Sequence, residues 1–230
     1  MKTTYQTKKT WKELYKIEAS KKSENDFSSF CKKNNIFCQK LDLVENESLR
    51  IKYLINSKGN CPDFLIKKEK LFCFVEVKTL TNFTNAKREK EIDTRREALQ
   101  KKHQSGIIIN DTIDFYTELW GPFKTFIQSC SKKFKNIKDK YKYPRLLLVG
   151  GSNVDQIRMS ALFHGSYLSY DIRLEKWIGF QKKKIGLFDK MGSNISAVIY
   201  WNKDFNRYFC LENPRFKVKF SETDFKHFFS

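Results

Sequence analysis

Leu71-Phe72-Cys73-Phe74-Val75-Glu76-Val77-Lys78 is the stretch on which the reading of this chain turns. A run this apolar belongs to a strand buried on both faces, yet it carries an acid and a lysine. Alternate residues of a strand share a face, so Glu76 and Lys78 lie on the side of Phe74, and charges held there need partners. Just upstream, Pro62-Asp63-Phe64-Leu65-Ile66 forms a second apolar run. The charged stretch Lys67-Lys68-Glu69-Lys70 separates the two, which is a hairpin pattern. Antiparallel pairing about a turn at Lys68-Glu69, with an even-numbered loop, sets Leu65 opposite Phe72 and Asp63 opposite Phe74. Glu76 is then a diagonal, same-face neighbour of Asp63. An odd loop or a bulge would move Asp63 to the other face.

Two carboxylates converging beside one ammonium make a costly core. They suit a hard divalent cation such as Mg²⁺ or Mn²⁺, which takes oxygen ligands and leaves positions for water and phosphate. An ion held by Asp63 and Glu76 would supply both an activated water and a stabiliser for charge on phosphorus. Lys78 fits as the cation that orients the water or offsets the developing charge. The competing reading is a surface hairpin with an incidental ion pair.

Pro62-Asp63, a spacer, and Glu76-Val77-Lys78 at the end of an apolar strand resemble the signature of the PD-(D/E)XK, restriction-endonuclease-like nuclease superfamily. The resemblance implies an α/β fold with a central mixed sheet flanked by helices, metal ligation by Asp63 and Glu76, and a catalytic role for Lys78. It also implies Mg²⁺ or Mn²⁺ as cofactor and DNA, duplex rather than single-stranded, as substrate, in restriction, defence or repair. Such proteins often add a glutamate from a helix before the hairpin, for which Glu24 is the best match as a further metal ligand and catalytic residue. Glu18 is second, and Glu45 or Glu47 third; Glu24 is equally well placed as a first-turn residue of a helix. On the charged helix after the motif, Lys87, Arg88, Arg95, Arg96 and Gln100 sit where superfamily members contact substrate or support the site, although a solvated face explains them as well. Tyr143 to Val149, Ile195 to Ile199 and Leu211 to Pro214 are weaker likenesses, and together they extend the resemblance from about Glu24 to Pro214. A duplex cutter with one site per chain is expected to form a homodimer.

Outside the hairpin, helical spacing predicts a helix over Thr10 to Lys22 and a second from about Glu24, carrying Phe27, Phe30 and Cys31 and stopped by Asn34 and Asn35. Asp42 to Asn60 reads as irregular. Ala86 to His103 reads as a solvent-facing helix, and Phe115 to Tyr141 as another, broken at Gly121-Pro122. Its end is basic, with Lys132, Lys133, Lys135, Lys138, Lys140 and Lys142. Lys132, Lys133 and Lys135, with Phe134 and Tyr141 interleaved, are candidates for neutralising phosphates along a nucleic-acid backbone, against the alternative of a solvated basic helix. Arg145 to Val149 reads as a buried strand, followed by Gly150-Gly151 and a helix from near Asp155. Ile195 to Trp201 and Arg207 to Leu211 read as two paired strands. The whole is expected to form a single domain over residues 1–230, its core at about 24–214 and a basic helical segment at about 115–142.

Lys plus Arg number 45 against 26 Asp plus Glu, a formal net charge of +19 that attracts polyanions. A coding bias towards Lys, Asn, Ile and Phe would produce part of the same excess. No run has the length of a membrane span and the first residues lack the apolar core of a secretory signal, so a cytoplasmic protein with no membrane partner is expected. The six cysteines contain no CxxC pair and the three histidines lie far apart, which argues against a zinc site. Cys73 and Cys210, inside apolar runs, are expected to act as small buried hydrophobes. Two other readings compete with the nuclease. One is a non-catalytic nucleic-acid-binding module on the same scaffold; the other, a subunit of a larger assembly, draws on Trp120, Trp177 and Trp201.

Overall fold

The computed structural model describes residues 10–81, 112–151, 154, 156–171, 176–182, 185–191, 194–203 and 206–229. Lys87, Arg88, Arg95, Arg96 and Gln100 lie outside them, as does the helix expected over Ala86 to His103.

Helix α1 spans Trp11–Lys33. Thr10 and Glu13 form a capping box at its start, satisfying two backbone donors that the first turn leaves open. The two helices expected from the sequence are therefore one. Lys21 to Asp26 looked like a break because it is polar, yet the buried face continues through it from Ser23 to Phe27 and Cys31. Asn35, with φ 55°, turns the chain out of the helix.

Strand β1 (Phe37–Lys40) follows, then a 3₁₀ turn and the short helix α2 (Glu47–Tyr53), inside the stretch that read as irregular. Tyr53 and Leu54 anchor that segment in the core. The hairpin is β2 (Phe64–Lys68) and β3 (Leu71–Thr79). Helix α3 runs over Thr112–Lys135, straight through Pro122 and ending before the expected Tyr141. A proline inside a helix removes one hydrogen bond and crowds the preceding turn. Here the buried stripe of Phe123, Ile127, Cys130 and Phe134 clamps the helix to the sheet and outweighs that loss.

Beyond it come β4 (Arg145–Gly151), α4 (Gln156–His164), the hairpin β5 (Ser166–Asp171) and β6 (Lys176–Lys182), α5 (Leu187–Met191), β7 (Ala197–Asn202), β8 (Arg207–Glu212) and α6 (Glu222–Phe229). Six strands form a mixed sheet in the order β1-β2-β3-β4-β7-β8. β1, β2 and β3 are antiparallel neighbours, β3, β4 and β7 are parallel, and β8 returns antiparallel to β7. The fold is thus α/β with a central mixed sheet flanked by helices, as the sequence led one to expect.

Each sheet face has its own core. Phe64, Val75, Val77, Leu146, Leu148 and Ile199 meet Phe27 and Cys31 of α1 and Phe228 of α6. Leu65, Phe74, Leu147, Val149 and Val198 meet α3, α4 and α5 on the other side. Cys73 is fully buried, Cys210 only half so. No helix among the described residues is long and apolar enough to cross a membrane.

Phe123 is wholly buried and packs edge-on against Phe126 and Phe163. Phe123→Ala is expected to destabilise the protein by about 3–5 kcal/mol in urea denaturation. Phe37→Ala, at a side chain 51% exposed, should stay within about 1 kcal/mol. Equal losses at the two positions would contradict this account of the core.

Candidate active site at the end of the β2–β3 hairpin

Lys67 and Lys68 belong to β2 and pair with Phe72 and Leu71. The turn therefore falls on Glu69-Lys70, with Glu69 at φ 52°, one residue later than the sequence suggested. That slip changes the register by two, so Leu65 faces Phe74 and Phe64 faces Val75. Because two is the period of side-chain alternation, every residue keeps its expected face. Carried one step beyond the last pair, the same register sets Asp63 directly across from Glu76 instead of diagonal to it.

Pro62 brings no N–H to the ladder at the point where β2 begins. Beyond the last ladder pair the Asp63 side chain stands in for a backbone acceptor, its Oδ2 accepting a hydrogen bond from the Val77 N–H at 2.8 Å. Its other oxygen, Oδ1, meets Lys133 Nζ at 2.8 Å. Lys133 comes from α3 and lies equally close, 2.8 Å, to Glu76 Oε1. Lys78, two residues along β3 on the same face, also pairs with Glu76 Oε1. Asp63, Glu76 and Lys78 are brought together, then, and Lys133 joins them as a bridge between the two acids.

Glu76 is the constrained member. Its side chain has no solvent exposure, and Oε2 has no hydrogen-bond partner. Burial, reinforced by the Asp63 carboxylate, pushes its pKa up to about 7 against the opposing pull of Lys78 and Lys133. Burial alone would lower the Lys133 pKa, but Glu76 and Asp63 together outweigh it and raise it above the ordinary lysine value. Cys130, one turn earlier on α3, is held as a neutral thiol by burial and by the nearby Glu76 charge.

Two clefts border the cluster. One, of about 400 Å³, is lined by Lys16, Ser20, Lys78, Thr79, Pro122 and Thr125 among others. The second, of about 250 Å³, is lined by Asn60, Thr125, Gln128, Ser129, Lys132 and Lys133. Thr125 borders both, so Lys78 and Lys133 are reached from adjoining openings.

Glu24 is not part of the group. It forms an ion pair with Lys40 at 2.6 Å, and that hydrogen bond is the chief reason the Lys40 pKa is raised, with Asp63 a smaller contributor. Glu18, Glu45 and Glu47 are exposed. Among the described residues no three His, Cys, Asp or Glu side chains gather as a metal-holding group. Asp63 and Glu76 offer carboxylate oxygens to a cation, and such a cation would meet Lys133 on two of them. The unsatisfied Glu76 Oε2 is the feature that fits an additional positive ligand. A hard ion that retains most of its water shell can be held by only one or two carboxylates.

The sequence presents Lys133 as one of several candidate phosphate-contacting lysines, and the structure adds its part in the acid cluster. The available signal was helical phase. Lys133 flanks the stripe of Cys130 and Phe134, whereas Lys132 falls on the opposite side of the helix and is exposed, as is Lys135. No family model, curated protein or solved structure matches the chain.

The Glu76 carboxyl binds its proton up to about pH 7 in the folded protein but only up to about 4.5 in the unfolded chain. Its stabilising contribution is therefore complete below about 4.5 and is lost as pH rises through 7. In chelator, wild type should lose more stability than Glu76→Gln between pH 5 and 8, by up to about 3 kcal/mol. Parallel pH profiles of the two proteins would contradict the assignment.

Proposed function

We propose that this chain is a metal-dependent endonuclease that hydrolyses phosphodiester bonds of DNA, built on a restriction-endonuclease-like core. The observation that carries the reading is the meeting of Asp63, Glu76 and Lys78 at one end of the hairpin, with the lysines on Glu76 Oε1 and Glu76 Oε2 buried without a partner, beside clefts lined by lysines. A structural ion-pair network has no use for an unsatisfied buried carboxylate oxygen, whereas a site awaiting a cation does.

Asp63 Oδ1 and the two oxygens of Glu76 would hold Mg²⁺ or Mn²⁺. When bound, the ion supplies Lewis acidity towards a phosphoryl oxygen and lowers the pKa of an attacking water. Lys78 lines the larger cleft while touching Glu76. From there its ammonium offsets charge that develops on the phosphate in the transition state. Lys133 occupies the oxygens that an ion would need, and it also lines the smaller cleft. Lys133 would therefore compete with a cation for these oxygens, and from the smaller cleft its ammonium would add positive charge towards a substrate phosphate. Lys16 and Lys132, at the two openings, add positive charge along the approach of a polyanionic backbone. Duplex DNA is the preferred substrate on the strength of the family resemblance.

A non-catalytic nucleic-acid-binding module is the second reading. It draws on the charge balance of the cluster, in which two ammonium groups already match two carboxylates.

Cleavage of supercoiled plasmid in Mg²⁺ or Mn²⁺ separates the two. The nuclease reading expects cleavage abolished by chelator and reduced at least ~100-fold in each of Asp63→Asn, Glu76→Gln and Lys78→Gln. Wild-type rates in the triple variant would refute it. Salt-sensitive binding with no turnover in either metal would select the binding module.

A further inference from the structure

A cleft of about 510 Å³ lies away from the acid cluster. It opens where β4 begins, and Arg145 is on its wall. Arg145 pairs across the sheet with Phe74, whereas Lys78 pairs with Val149 four residues further along β4, so the two sites lie towards opposite ends of the strands.

Arg145 is the unusual group. Only 8% of it is exposed, and its Nε has no hydrogen-bond partner. Its guanidinium sits over the Phe216 ring at 5.4 Å. Asp139, the acid whose charge it feels, forms no ion pair with it; burial is the larger influence and pulls the guanidinium below its ordinary pKa. A buried cation without a carboxylate is costly unless an anion arrives to match it.

The surroundings point to the sign and kind of that anion. Lys142, Lys190 and Lys217 line the same cleft and are exposed. Of the two acids there, Asp189 is engaged by Arg215 at 2.7 Å. Counting Lys142, Arg145, Lys190, Arg215 and Lys217 against Asp139 and Asp189, the lining carries five positive and two negative groups, a formal +3. The cleft has the volume of a small-ligand pocket, with an arginine at depth and lysines at the rim. A guanidinium presents a planar fork that matches phosphate oxygens, and flanking ammonium groups add charge without fixing geometry.

We propose that this cleft binds a phosphate group, with Arg145 as the buried anchor and Lys142 and Lys217 as rim contacts. The assignment does not depend on the nuclease reading, because none of its residues belongs to the acid cluster. The phosphate has two possible sources, a free mononucleotide and the 5′-phosphate of a nucleic-acid strand, which share the same recognition chemistry.

The test is calorimetric titration of the full chain at fixed ionic strength in chelator, which silences any metal-dependent cleavage. The probes are inorganic phosphate, adenosine monophosphate and a 5′-phosphorylated single-stranded hexanucleotide. The expected result is saturable binding of one probe or more, with Kd raised at least tenfold in Arg145→Gln and at least threefold in Lys142→Ala/Lys217→Ala. Binding of adenosine monophosphate as tight as that of the hexanucleotide supports a free nucleotide as the source; binding of the hexanucleotide alone supports a strand end. The double variant alters exposed residues only, so it reads the site even where Arg145→Gln fails to fold. No saturable binding of any probe, or an unchanged Kd in the double variant, overturns the proposal.

Discussion

A carboxylate without solvent exposure at the centre of a mixed sheet has to be matched by positive charge, and the placement of Glu76 governs the arrangement around it. Lys78 answers from the same strand face and Lys133 from the helix packed above it. Helix α3 must deliver that lysine at one height on the sheet, and its buried stripe through Phe123, Ile127, Cys130 and Phe134 fixes the height. Asp63 is held in place by the N–H of Val77, the residue between Glu76 and Lys78, so the hairpin register and the site geometry are one constraint.

How much of this could be read from sequence depends on how local each cause is. The hairpin was legible because the alternation and the charged turn sit within a few residues of each other. The turn position was misjudged by one residue, since Lys67 and Lys68 look like loop but continue β2. The misjudgement was harmless to the site because the error in register was even. Lys133 was hidden among like residues, and only its phase relative to the apolar stripe of α3 marks it out. That phase matters only once the helix is known to cross the sheet above Glu76, which is tertiary information. Glu24 shows the converse: its position in α1 fits a site residue, but Lys40 on β1, an element not anticipated, captures it at 2.6 Å. The continuity of α1 through Ser23 and of α3 through Pro122 is likewise set by packing against the sheet, which overrides local signals at both places.

The excess of positive charge is organised as well as large. Lys16 and Lys132 stand at the openings on either side of the acid cluster, and Lys142 and Lys217 stand around Arg145. In both places exposed lysines rim a cleft whose lining includes a more buried cation, so the local field there is positive.

On the proposed reading Asp63 and Glu76 form a divalent-cation site for which Lys133 competes. Its most direct test is calorimetric titration of Mn²⁺ into chelator-stripped protein, comparing wild type with Glu76→Gln and Lys133→Met. A single saturable site per chain is expected in wild type, lost in Glu76→Gln and severalfold tighter in Lys133→Met. Absence of binding in wild type, or equal affinity in wild type and Glu76→Gln, would contradict it.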